Sequence, residues 1–350
     1  MSSRVVLISL SRYLNYWKSL RSHLEPHTQI LAVVKANAYG LGAIPLAQTL
    51  QQTQAVDYLG VATVDEAHAL RVAGIHMPIL IFSHSKNMAL LFEDNLEVAV
   101  YSAAYIRELG DIAEVRQQSI SVHLKLNTGM NRLGCPPNAA ASLVALIQSH
   151  SYLTLRSVWT HLSSADEPHT PHTHSQLSSF KQTLATLNLS PDTLIHCANS
   201  ATCRYFQEAQ FSMVRIGIDS FDSILTLKSK IQTISWVEAG EGISYGSTFI
   251  TARKTQIATI EMGYADGIPR SFKGDVLIRG KRYPVVGRVC MDLMMVDLGH
   301  DLADPYDEVV FVGSQGQESI SLDEFSHNSH RITYESLCAI GPRVERIYEN

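Results

Sequence analysis

Cysteine is scarce and unpaired in this 350-residue sequence. Its five cysteines (Cys135, Cys197, Cys203, Cys290 and Cys338) are odd in number, scattered and never in a CxxC spacing. That argues against a disulfide frame and for reduced thiols in a cytoplasm. No apolar run reaches the length of a membrane span, so no membrane partner is expected. Positive charge is not in excess: 28 Lys and Arg stand against 33 Asp and Glu, a net of -5. Nothing electrostatic therefore favours nucleic acid or an anionic membrane surface. The N-terminal Met1-Ser2-Ser3-Arg4-Val5-Val6 lacks the long apolar core of a signal peptide and is expected to run straight into a strand. There is no internal repeat and no low-complexity tract. The nearest biased segment, His169-Thr170-Pro171-His172-Thr173-His174, reads as an exposed loop rather than a metal site.

What is present is a two-part pattern. The first two-thirds alternate short apolar runs with amphipathic stretches. The strands are predicted at Leu31–Val34, Tyr58–Ala62, Ile79–Phe82, Glu97–Val100, Ile120–Leu126, Leu155–His161, Leu194–Ala198 and Met213–Gly217. Stretches such as Asp65–Ala73 and Ala103–Val115 carry apolar residues at three- and four-residue spacing, as helices packed on a sheet require. Eight such units predict a closed parallel (β/α)8 barrel over residues 1–222, with an open doubly wound sheet as the rival. From residue 223 to 350 strand follows strand with glycine turns, which predicts a mainly β domain. Residues 1–10 read as an N-terminal strand able to pair with that second domain, and Ser11 as the cap of a helix over Arg12–Leu24.

A barrel places its chemistry at the C-terminal ends of its strands. Lys35 follows the first strand, Lys125 and Arg132 bracket the end of the fifth, and His161 ends the sixth. Asn199 and Ser200 follow the seventh, and Arg215 lies in the eighth just before Gly217 and Ile218. Burial lowers a lysine's pKa, and a neutral amine is what Schiff-base chemistry needs. A lysine on the first strand facing a phosphate site on the last two fits pyridoxal 5′-phosphate. Each residue alone has a plainer reading. A lysine after a strand is usually solvated, a lone histidine is more often a hydrogen-bonded core residue, and Tyr39 could simply pack. Cys290 lacks a nearby histidine and reads as packing rather than a nucleophile.

The joint pattern resembles the alanine racemase family over essentially the whole chain. Val33-Val34-Lys35-Ala36-Asn37-Ala38-Tyr39-Gly40 resembles its cofactor-lysine signature. Lys125 through Gly134 resembles the segment with an often carbamylated lysine and an arginine near the substrate carboxylate. Thr160-His161, Asn199-Ser200 and Arg215-Ile216-Gly217-Ile218 follow in the family's order, as do Ser244-Tyr245-Gly246, Gly263 through Gly267, Gly287 through Asp292 and Tyr334-Glu335. One departure stands out. The family continues after Gly217-Ile218 with a small residue and Leu-Tyr-Gly, where this chain has Asp219-Ser220-Phe221-Asp222.

The resemblance implies a pyridoxal-phosphate alanine racemase, cytoplasmic, supplying D-alanine for peptidoglycan. It implies two bases, Lys35 and Tyr245, and cofactor contacts from Lys35, Tyr39, His161, Asn199, Ser200, Arg215, Gly217, Ile218 and Tyr334. Arg132 and Met291 would meet the substrate, with Lys125, Tyr264 and Asp292 in support. The partners implied are an amino acid and a second copy of the chain that shares its active sites; no metal is implied. Within the same structural group, a broad-specificity or serine racemase, a basic amino-acid decarboxylase and a single-barrel cofactor carrier are the alternatives. The Tyr245 and Arg132 motifs weigh against a decarboxylase, and the C-terminal third weighs against a carrier.

Overall fold

The computed structural model describes residues 3–167 and 169–350, so the first two residues of the 1–10 stretch lie outside it. The chain divides into two compact units. One takes Leu14–Ala38 and Ala43–Asp219; the other takes the N-terminal residues to Tyr13, Tyr39–Gly42 and Ser220–Asn350.

Strand β1 (Val5–Ser9) belongs to the second unit. The first unit holds β2 (Gln29–Val33), β3 (Tyr58–Val61), β4 (Ile79–Ile81), β5 (Glu97–Val100), β6 (Ile120–Lys125), β7 (Leu153–Trp159), β8 (Leu194–His196) and β9 (Met213–Ile216). They form one parallel sheet in the order β8-β7-β6-β5-β4-β3-β2-β9. Across the remaining seam, Ser212 donates its backbone N–H to Ile195 O (3.1 Å) and Arg215 to Ala198 O (2.9 Å). The eight parallel strands thus make a nearly closed barrel. Its strands are buried on both faces, which is why they read as continuous Val, Ile, Leu and Ala rather than as alternation. Each fully buried Val, Ile or Leu among them contributes about 1.5–3 kcal/mol.

Strand ends differ from the expectation by a residue or two. β7 stops at Trp159, so His161 sits two residues beyond the strand instead of ending it. The helix after β1 runs Leu10–His23, leaving Ser11 inside it. Ser9 takes the capping role, accepting from Arg12 N–H at 3.3 Å, because β1 passes into the helix without an intervening loop. His172 and His174 lie in the first turn of a helix, Pro171–Leu184, and not in a loop; Pro171 is suited to a helix's first position.

The second unit is mainly β. It adds β10 (Leu225–Val237), β11 (Gly242–Ile243), β12 (Phe249–Ile250), β13 (Thr255–Ile260), β14 (Asp275–Ile278), β15 (Lys281–Val286), β16 (Met294–Gly299), β17 (Glu308–Gln315), β18 (Glu318–Ile320) and β19 (Glu345–Glu349). β10 pairs with β13 through one half and with β17 through the other, closing a ring β10-β13-β16-β15-β14-β17, in which Val309, Val310 and Phe311 of β17 are fully buried. β1 lies against the start of β10, antiparallel, and β19 runs parallel beside β1. No helix among the described residues is long and apolar enough to cross a membrane.

Candidate active site

The barrel unit gathers five basic side chains at the C-terminal ends of its strands. Lys35 follows β2 and opens a turn in which Ala36, Asn37 and Ala38 all have φ of 51–54°. Left-handed backbone costs roughly 1–2 kcal/mol per non-glycine residue. Three hydrogen bonds offset it: Ala36 N–H to the Glu66 carboxylate, Ala38 N–H to Val34 O (2.8 Å) and Ala43 N–H to Asn37 Oδ1 (2.8 Å). Small residues and an asparagine are what such a turn tolerates, and strain held this firmly beside a lysine marks a functional segment.

Lys125 is the last residue of β6 and is buried, its Nζ 4.6 Å from the Trp159 ring centre. Burial, and then the charges of Arg132, Arg215 and Lys35, bring its pKa down to about 7. Exposed Arg132 sits on the following loop, where Asn127 Oδ1 accepts from the N–H groups of Gly129 and Asn131. Gly134 closes that loop at φ 127°, and a Cβ there would lie 2.6 Å from Asn127 N.

Arg215 in β9 is 4% exposed. Its Nη1 meets His196 Nδ1 at 2.8 Å, and its Nη2 reaches Thr160 O (3.0 Å), Cys197 O (3.2 Å) and His161 Nδ1 (3.2 Å). Its guanidinium also lies 4.9 Å over the Trp159 ring. Burial lowers its pKa to about 10. Burial and then the Arg215 charge lower His161 to about 3, so this imidazole is neutral at physiological pH. Asn199 caps the helix Ser200–Tyr205 by accepting from Thr202 N–H (2.8 Å). Buried Ser200 accepts the Gly217 N–H at 3.2 Å and so ties the ends of β8 and β9 together, with Ile218 next in the chain.

The charges acting on Lys125 are all cationic, and burial leaves water little room to screen them. A donor set of this kind fits an anionic, carbonyl-bearing group that an amine can hold, as pyridoxal 5′-phosphate is. Lys35 supplies that amine; Ser200 and the backbone at Gly217 and Ile218 supply small polar contacts.

The β unit carries the other predicted residues. Tyr39 is buried there, its ring 5.7 Å from Tyr334 and 5.1 Å from Phe221. Burial, then Tyr334 and Cys338, hold the Tyr39 hydroxyl well above the usual tyrosine range. Phe221, the departure from the family pattern, is fully buried and also stacks on Tyr13 at 6.0 Å. The unusual segment is therefore packed, and it backs Tyr39.

Tyr245 lies on the turn between β11 and β12 and is 64% exposed. Ser244 Oγ donates to Arg288 O (2.6 Å), Tyr264 N–H to Cys290 O (3.0 Å) and Ala265 N–H to Met291 O (3.0 Å). These bonds chain the Tyr245 turn, the 288–291 loop and the Tyr264 turn into one platform. Gly263 is required in it, since a Cβ would come within 2.3 Å of Met291 O. Asp292 pairs with Arg343 at 2.7 Å. Tyr264 and Met291 are exposed, like Tyr245.

Sequence reasoning missed four polar residues inside the barrel: fully buried His123, Ser157 and His196, and half-buried Glu97. The available signal was a polar residue flanked by apolar ones within a strand buried on both faces, as in Val122-His123-Leu124. Such a residue must find a partner.

Comparison with known proteins agrees with this geometry. The model of the alanine racemase N-terminal domain matches residues 8–222, and that of the alanine racemase C-terminal domain matches residues 224–348. The chain is 40% identical over 341 residues to the alanine racemase of Symbiobacterium thermophilum, covering 91% of this chain and 90% of that one. It is 34% identical over 361 residues to alanine racemase 1 of Bacillus subtilis, covering 97% and 92%. Among solved structures, the alanine racemase of a D-cycloserine-producing Streptomyces lavendulae superposes with a TM-score of 0.94 at 32% identity, covering 100% of this chain and 98% of that one.

Proposed function

This chain belongs to the alanine racemase family, and from that premise we propose that it interconverts L-alanine and D-alanine with pyridoxal 5′-phosphate and two bases, Lys35 and Tyr245. The carrying observation is the cluster of Lys35, Lys125, Arg132 and Arg215 at one barrel end, where burial and then the neighbouring positive charges bring Lys125 down to about 7 and the gathered charge asks for a bound anion.

When bound, the cofactor supplies a conjugated electron sink on the substrate amine, which acidifies the Cα–H. Lys35 would hold the group through its amine. The Lys35 amine would work on one face of Cα and Tyr245 on the other. In one direction the tyrosinate takes the Cα proton and the Lys35 ammonium returns one; the reverse direction exchanges the roles. A phenol of ordinary pKa about 10 needs cationic help to act as a base at neutral pH. Arg215 supplies it through His161, whose neutral ring accepts from Arg215 at Nδ1 and so carries its own proton on Nε2.

Arg215 commits Nη1 and Nη2 to His196, His161 and two carbonyls, and its Nε–H would be the donor toward the cofactor's ring nitrogen. A guanidinium donates there without giving up its proton, and this restrains the sink and disfavours transamination. Tyr39, Asn199, Ser200, Gly217, Ile218 and Tyr334 hold the phosphate end. Arg132 receives the substrate carboxylate beside Met291. With a pKa near 7, Lys125 has the free amine that adds carbon dioxide with loss of a proton; the resulting carbamate anion would steady Arg132. Tyr264 and Asp292 support the platform of the second base.

The exposure of Tyr245 and Met291 supports a site completed across a homodimer, each copy lending its platform to the other's barrel. A cytoplasmic enzyme supplying D-alanine to peptidoglycan is the corresponding physiological role. The test is chiral chromatography of protein loaded with pyridoxal 5′-phosphate and incubated with L-alanine. D-alanine rising toward an equal mixture is the expected result. L-alanine that persists beside bound cofactor would overturn the substrate and turn attention to serine.

A further inference from the structure

Barrel interiors are ordinarily filled by branched apolar side chains. Here five polar side chains from five successive strands cross the interior instead. His123, Ser157 and His196 are fully buried and Arg215 nearly so, while the Glu97 side chain keeps 16% exposure. They form one unbroken line: Glu97 Oε2 to His123 Nε2 at 2.6 Å, His123 Nδ1 to Ser157 Oγ at 2.7 Å, Ser157 Oγ to His196 Nε2 at 2.9 Å, and His196 Nδ1 to Arg215 Nη1 at 2.8 Å. Glu97 opens β5, at the end of the barrel opposite the candidate site, and Arg215 lies near the end of β9. Arg71, Arg156 and Tyr58 are the charged and titratable groups that act on Glu97 at its end.

The direction of the line is not free. A guanidinium only donates and a carboxylate only accepts. Arg215 therefore makes His196 Nδ1 an acceptor, and His196 carries its proton on Nε2. That proton goes to Ser157, whose own hydroxyl must donate to His123 Nδ1. His123 in turn carries its proton on Nε2 and gives it to Glu97. Reversing a link sets either two N–H groups head to head at His196 and Arg215 or two acceptors head to head at His123 and Glu97. Trp159 stacks on His196 at 5.5 Å and 6° between planes, which fixes the ring against rotation.

We propose that Glu97, acting through His123, Ser157 and His196, is a positioning residue: it sets the tautomer of His123, so that Ser157 accepts from His196, and the one-way hydrogen-bond chain thereby holds His196 and Arg215 in their orientation at the barrel mouth. Buried polar lines of this kind are favourable only when every member is satisfied, so an anchor at the far end governs the near one. The consequence for catalysis rests on the racemase reading; the tautomers do not.

The experiment uses the full chain labelled with 15N-histidine, with and without added pyridoxal 5′-phosphate. In the parent protein, His123 and His196 should both show a bare Nδ1 and a protonated Nε2. Glu97→Gln keeps an acceptor for His123 and should keep both signatures and the turnover. Glu97→Leu takes away the acceptor of the His123 Nε2–H, so it should move His123 toward the Nδ1–H form, disturb the Ser157 link to His196, and lower kcat about tenfold with KM little changed. If Glu97→Leu does not fold, Ser157→Ala makes the same break without removing a charge. The proposal is overturned if His196 carries its proton on Nδ1 in the parent protein, if His123 is doubly protonated, or if the break alters neither signature. It is also overturned if the signatures change while kcat does not. Because tautomers are read without substrate, failure here is distinct from failure to racemise alanine.

Discussion

Arg215 is 4% exposed and has four hydrogen-bond partners from its own chain, whereas Tyr245 is 64% exposed on a turn between two-residue strands. The same contrast separates Lys125 from Met291 and His161 from Tyr264. In the barrel unit, burial and neighbouring charge have already set the state of each group. In the β unit the backbone platform is fixed, but its side chains project without an environment. The barrel groups have their partners within one chain, while the side chain of the proposed second base is exposed. That difference is what a site shared between copies requires.

The largest expected effects come from removing one base from each half. Lys35→Ala and Tyr245→Phe should each lower racemisation by about 10³-fold, within the range that positioned acids and bases contribute. The two losses should differ in kind. With Tyr245→Phe, one enantiomer should still exchange its Cα proton with D2O at the Lys35 face, read by mass shift without inversion. Equal loss of exchange for both enantiomers would mean that Tyr245 is not a base.

Dilution tests the contrast at the level of assembly. Activity per chain should fall in step with the dimer fraction measured by sedimentation, as mass action requires. Full activity from a demonstrated monomer would show that the exposed platform serves its own barrel, and the sharing argument would fail.

Lys125 gives an effect on stability rather than rate. Its folded pKa of about 7 lies below the ordinary 10.5, so between those values the unfolded chain binds more protons and stability rises with pH. The deficit is complete below pH 7 and absent above 10.5, and amounts to at most about 5 kcal/mol. Lys125→Met in cofactor-free protein should raise the melting temperature at pH 6 and do so much less at pH 10. Bicarbonate should raise that of the parent but not of the variant. A gain that is the same at both pH values would remove the case for a lysine held short of its proton.

Much of this was legible in the sequence, and unevenly so. The barrel strands announced themselves because burial on both faces leaves unmistakable apolar runs, and the ends of those runs placed Lys35, Lys125 and Arg215. The β unit's residues were legible only through family resemblance: nothing local distinguishes Ser244-Tyr245-Gly246 from any exposed turn. Ser11 was misread as a cap because the sequence does not reveal that β1 passes directly into a helix at Leu10. The line from Glu97 to Arg215 was illegible for a different reason. Its members are spread over more than 100 residues of sequence, and only the barrel's closure brings them within hydrogen-bonding distance. Single polar residues in apolar strands were visible; that they formed one line was not.

The smallest effect follows from His161. Burial, and then Arg215, hold its folded pKa at about 3 against an ordinary 6.5. Between those values the unfolded chain takes up a proton that the folded chain refuses, so His161 destabilises progressively as pH falls through that window. Above pH 6.5 both states are neutral and nothing is lost. The slope is one proton's worth, about 1.4 kcal/mol per pH unit. His161→Asn keeps a polar side chain toward Arg215 but cannot titrate, so its melting temperature should fall less steeply than the parent's from pH 6.5 to 5. The two curves should run parallel from pH 7 to 8. Tyr245, on its exposed turn, gives the matching control: Tyr245→Phe should leave the acid slope of the parent unchanged. If His161→Asn also leaves it unchanged, the barrel mouth is wetter than its burial implies, and the contrast between the two units would shrink to one of exposure alone.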